Sequence, residues 1–255
     1  MDVDSLVYMI RHLLRCPLDF VRNGGTDFIH PSFYRQYCPG PLQVALEVCK
    51  TIAGEDVRSP NKILESTDPR TSARALLAVT SSLAGFIDLL AFVQSLCLLQ
   101  IMAVFSTTTT RAEREEGVRR QQLLVDWTTK LWERAPSSLP STFSKHEAYV
   151  LAEAVRRTIL VSHKIQGCFS VLRKGVFRHT LFFESLPFGA KAALWDADPG
   201  AAELDTKDTH LLSFREYCDL WDAGLVQAVT PFERMLLVGG RGRAAVDERL
   251  GTTTQ

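Results

Sequence analysis

Glu153, Arg156 and Arg157 stand close together in the chain, and Glu153 and Arg157 are four residues apart. That spacing brings opposite charges together on one face of a helix. Such a group has two uses: its arginines can point into a cavity and hold an anionic ligand, or they can tie neighbouring helices through hydrogen bonds. Gln94 and Gln100 pose the same question, because they interrupt an apolar run and a buried amide must be hydrogen-bonded. Each can bond a ligand or a neighbouring helix, and Gln94 is the better pocket candidate. His30 and His163 can move protons near neutral pH, although a histidine in apolar surroundings is more often packed and satisfied. Cys168, a few residues after His163, is the one thiol near a base that could help it ionise.

Metal and cofactor chemistry find no support. Neither His30 nor His163 has a second histidine or carboxylate at ligand spacing. The acidic stretch Asp196, Asp198, Glu203, Asp205, Asp208 resembles a calcium loop only in composition: Gly200 comes one position too early and the closing carboxylate is missing. There is no Asp-rich magnesium motif, no nucleophile elbow, no phosphate-binding glycine loop and no dinucleotide fingerprint. The expectation is therefore no metal and no cofactor.

Composition narrows the partners. Lys and Arg together number 29, as do Asp and Glu, so the formal net charge is zero. A nucleic-acid binder draws affinity from basic residues on phosphates, and the single basic cluster, Arg241 and Arg243, lies in a Gly-rich C-terminal stretch that reads as a solvated tail. No direct contact with nucleic acid is expected. The six cysteines are scattered without any Cys-x-x-Cys pair, which reads as reduced thiols in the nucleus or cytoplasm. The opening Met1-Asp2-Val3-Asp4 is acidic, unlike a signal peptide. Leu89 to Phe105 is nearly all apolar, but it is short for a membrane span and carries Gln94 and Gln100. A buried core helix is expected there, and no membrane association.

These residues must be positioned mainly by helices. Apolar spacing predicts helices over 5–15, ending at Pro17, over 41–53, over 71–105 with a break near Gly85, and over 111–134. Ser144 with Glu147, and Ser213 with Glu216, read as capping boxes that start further helices. The first of these runs to about His163 and is followed by a second apolar segment, Ile165 to Leu172. Phe28-Ile29-His30-Pro31 reads as extended, as does a segment around 176–188. Loops are expected at 56–61, 107–110, 136–140 and 196–208. The predicted class is all-α, a single large irregular helical domain over 1–235 with a flexible tail over 236–255.

Several segments, in this order, carry a resemblance. They are Phe28-Ile29-His30-Pro31; Leu90-Ala91-Phe92-Val93-Gln94-Ser95-Leu96; Glu153-Ala154-Val155-Arg156-Arg157-Thr158; Leu186-Pro187-Phe188; Ala193-Leu194-Trp195-Asp196-Ala197; and Ser213-Phe214-Arg215-Glu216-Tyr217. Together they resemble the C-terminal regulatory domain of fungal binuclear zinc-cluster transcription factors. That family joins a six-cysteine zinc cluster to a large helical regulatory domain. Here the sequence opens at Met1 within the helical region, and its cysteines lack the cluster's spacing.

The resemblance implies a regulatory protein without its own DNA-binding domain. It would act through a protein partner and sense an apolar small-molecule metabolite, as a co-regulator of a secondary-metabolite pathway. The alternative is a cofactor-free cyclase or isomerase recruited from the same scaffold, which needs only shape, a few hydrogen-bond donors and a poised acid or base. In that reading Gln94 and Arg156 polarise a carbonyl, His163 transfers a proton and Trp195 forms an apolar wall. Gln94, Gln100, Glu153, Arg157 and Trp195 are the ligand-binding candidates, and His163 and Arg156 the catalytic ones.

Overall fold

The computed structural model describes residues 1–34, 37–53, 85–106, 111–135, 143–177, 181–189, 192–196, 211–226 and 229–251. Helices α1 (Val3–Asn23), α2 (Pro31–Tyr34), α3 (Gly40–Ala53), α4 (Phe86–Phe105), α5 (Arg111–Arg134) and α6 (Lys145–Lys174) come first. Then follow α7 (Leu181–Ser185), strand β1 (Pro187–Gly189), α8 (Ala192–Trp195), strand β2 (Leu211–Ser213), α9 (Phe214–Asp222), α10 (Pro231–Arg241) and α11 (Arg243–Arg249). The fold is all-α, with one antiparallel pair in which Phe188 lies opposite Leu212. The chain forms two compact units, one of residues 14–162 and one of residues 1–13 with 163–255. A single unit over 1–235 was expected; both divisions fall inside continuous helices, α1 and α6, where no change of composition marks them.

In the unit of residues 14–162 the core is α4. Apolar residues surround it on every face, and 83% of its most apolar stretch is buried, as a core helix requires. Asp88 closes its first turn by accepting from the Gly85 N–H at 3.1 Å. Gly117 lets α5 press on α4, since a Cβ there would come within 2.9 Å of Ala103 Cβ. Phe92 and Trp127 meet edge-to-face across the same contact, 4.7 Å between ring centres.

Expectations about individual helices change as well. The α1 helix continues to Asn23 with Pro17 inside it. Met9, Leu13, Cys16 and Phe20, spaced as one helical stripe, are all buried, and that burial outweighs the lost backbone hydrogen bond. Residues 145–174 form one helix rather than two, and it continues through Gly167. The aromatic segment expected to be extended holds the helix α7 before the strand begins at Pro187. The tail expected from 236 is helical as far as Arg249, with Leu236, Leu237, Val238 and Val246 buried. A capping box was overlooked there: Thr230 Oγ1 accepts from the Glu233 N–H at 3.2 Å, and Pro231 fills the first turn. The boxes at Ser144 and Ser213 are formed as expected. The loops expected at 56–61, 107–110 and 136–140, most of that at 196–208, and positions 71–84 of the long helical stretch lie outside the described residues.

Candidate functional site

Within the 14–162 unit, three of the resembling segments converge on Gln94. The wholly buried amide donates from Nε2 to the Phe28 carbonyl at 2.8 Å and to Thr158 Oγ1 at 3.3 Å. Its Oε1 accepts from the Tyr34 hydroxyl at 2.8 Å. Both Nε2 hydrogens are thus engaged inside the protein. Thr158 in turn donates to the Ala154 carbonyl at 2.6 Å. Burial pushes the Tyr34 phenol far above its ordinary range, so it remains a donor.

Phe28 to Pro31 is a tight turn rather than an extended segment. Thr26 Oγ1 accepts from the Phe28 and Ile29 N–H groups at 3.2 and 3.0 Å, and the Thr26 N–H donates to the Ile29 carbonyl at 2.8 Å. A Cβ on Gly25 would stand 2.8 Å from Pro31 Cδ, so this position needs glycine. His30 is part of the turn, with Nδ1 2.6 Å from Ser32 Oγ.

Glu153 lies a turn before Arg157 on α6 and is completely buried. Its two carboxylate oxygens each accept from a guanidinium Nε at 2.9 Å, one from Arg156 and one from Arg157. Arg157 also donates to the Asp27 carbonyl at 3.2 Å, beside the turn that Gln94 holds. The cluster joins α6 to the 27–31 turn, which is the helix-tying use of these residues. Nearby on α6, Tyr149 Oη has no hydrogen-bond partner among the described residues, and burial pushes its phenol up to about 12. Gln100 binds elsewhere, donating to the Gly117 carbonyl at 2.7 Å and to Gln121 Oε1 at 2.8 Å, and so pins α4 to α5.

The other unit gathers the remaining three segments. Leu186-Pro187-Phe188 leads into β1, Ser213 caps α9, and the Phe214 N–H donates to the Leu186 carbonyl at 3.0 Å. Phe188 and Tyr217 meet edge-to-face at 5.0 Å, and Leu194 and Trp195 of α8 are buried. His163 packs against the rings of Phe182 and Phe183. His163 and Trp195 therefore belong to one unit, and Gln94, Gln100, Glu153, Arg156 and Arg157 to the other.

Burial pushes the Cys168 thiol up to about 12, away from the thiolate that a nucleophile needs. Arg241 is not part of a solvated tail. It grips Asp222, with Nη2 2.6 Å from Oδ2, and that hydrogen bond holds the Asp222 carboxyl below its usual range. Arg243 pairs with Asp247 at 3.1 Å. Sequence reasoning missed Lys164, whose side chain is wholly buried and whose Nζ has no hydrogen-bond partner among the described residues. A signal was there: Leu160, Val161, Lys164, Ile165 and Cys168 form one helical stripe, in which lysine is the misfit.

Compared with characterised proteins, the chain is similar to the transcription factor gsfR2 of Penicillium aethiopicum, at 24% identity over 196 residues. The match takes in 71% of this chain and 45% of that protein, so the chain spans less than half of its relative. No protein-family profile and no solved structure matches the chain.

Proposed function

We propose that this chain is a helical regulatory domain of transcription-factor type, acting in the nucleus through a protein partner and an apolar effector, in the control of a secondary-metabolite pathway. The similarity to a transcription factor across 71% of the chain carries this reading. The hydrogen-bond networks agree with it. Gln94 and Glu153, two of the ligand-binding candidates, and Arg156, a catalytic one, are engaged in holding helices and a turn together. Arg241 and Arg243 are occupied by carboxylates rather than offered to phosphates.

Tethering the full chain to a heterologous DNA-binding domain, upstream of a reporter gene, tests the reading. A several-fold change in reporter output is expected, along with altered transcript levels when the gene is deleted from its source. An unchanged reporter together with unchanged transcripts would overturn it, and turnover of a metabolite by the purified chain would put an enzyme in its place.

A further inference from the structure

A lysine head group ordinarily reaches solvent or a carboxylate. Lys164 Nζ meets phenyl rings instead: it lies 4.6 Å from the centre of Phe183, 4.9 Å from that of Phe214 and 5.9 Å from that of Phe177. Ring faces attract a cation but supply no lone pair to accept its hydrogens. The titratable groups facing it are thiols, Cys168 on α6 and Cys218 on α9. Burial pushes them up to about 12 and about 11, so both are neutral near pH 7. Among the described residues the amine has neither an acceptor nor a counter-charge.

Three glycines make room for this arrangement. A Cβ on Gly239 would collide with Lys164 Nζ and stand 2.9 Å from Met9 Sδ. One on Gly240 would stand 3.0 Å from Phe214 Cζ, and one on Gly167 would overlap the Phe177 ring. All three glycines lie within helices, where glycine weakens the helix relative to alanine. Each abuts a different member of the same cage.

We propose that Lys164 anchors a binding site for a small planar organic acid, whose carboxylate pairs with Nζ and whose flat apolar body lies among Phe177, Phe183 and Phe214. A carboxylate supplies the missing acceptor and charge together, and a planar body suits ring-lined walls. A phosphate needs more donors than a single amine among rings provides. Of the three rings, Phe177 alone is carried outside a helix, so it is the one that gives way to admit the ligand. The site goes beyond the regulatory reading and is tested separately from it.

The test uses sodium benzoate as probe and benzyl alcohol as its uncharged counterpart, each titrated calorimetrically into the full chain. Saturable benzoate binding is expected, with benzyl alcohol at least about tenfold weaker. Lys164→Met, which keeps an apolar stem and melts cooperatively, loses benzoate binding. Gly239→Ala, which displaces Nζ, weakens it by at least about tenfold. Benzoate binding that is absent from the natural chain, or equal in Lys164→Met, overturns the proposal. Should Lys164→Met fail to fold, unchanged benzoate binding in Gly239→Ala overturns it instead.

Discussion

Gln94 and Lys164 are both long polar side chains on helices, both with no solvent exposure, and they have met opposite fates. The amide of Gln94 bonds a turn, a tyrosine and a threonine from three other segments. The amine of Lys164 faces rings, and desolvation pulls it down from 10.5 to about 8. A buried polar group with all its partners is a structural rivet, because each partner would be stranded without it. One without partners lowers stability and holds unused bonding capacity. The contrast separates residues that maintain the scaffold from residues free to act.

Three measurements press on that contrast. The largest effect is expected from Gln94→Leu, which strands the Phe28 carbonyl and the Tyr34 hydroxyl and should lower unfolding stability by about 3 kcal/mol in urea titrations. A loss below about 1 kcal/mol would mean the turn finds other partners. Next, Lys164→Met should raise stability by about 2 kcal/mol at pH 7, since it removes an unpaired buried charge.

That gain depends on pH in a known direction. The lysine holds its proton more weakly when folded than when unfolded, so its penalty is full below about pH 8 and gone above 10.5. The gap between natural chain and variant should close across that window. Cys168 and Cys218, raised by burial, act oppositely above pH 9, and the Lys164 charge that holds them down in the natural chain is missing from the variant. The smallest effect is Thr158→Val, which removes the 3.3 Å bond to Gln94 and should cost about 1 kcal/mol.

Much of the scaffold was legible. The apolar run around Gln94 declared a core helix, and Ser144 and Ser213 announced helix starts through their glutamates three positions on. Local signals failed where distant burial decided the outcome. Pro17 looks like a stop, yet the buried stripe through Cys16 and Phe20 carries α1 past it. Gly239, Gly240 and Gly242 suggested a loose tail, although the first two accommodate neighbouring side chains in a packed helix. For the candidate site, the spacing of Glu153, Arg156 and Arg157 revealed their pairing but not that a backbone turn shares it. Lys164 was hidden for a simple reason. A lysine in an apolar stripe commonly snorkels to water, and only the surrounding rings show that this one does not.

The scattered cysteines have a practical consequence. In the folded chain Cys38 is half-buried, while Cys16, Cys49, Cys97, Cys168 and Cys218 are buried. An alkylating reagent added to the folded protein should therefore tag Cys38 first and reach the others only as each neighbourhood breathes. Cys49 and Cys97 lie in one compact unit, Cys168 and Cys218 in the other. Peptide-resolved labelling over time turns these thiols into two built-in clocks, one for the opening of each unit, read from a single tube without adding a probe.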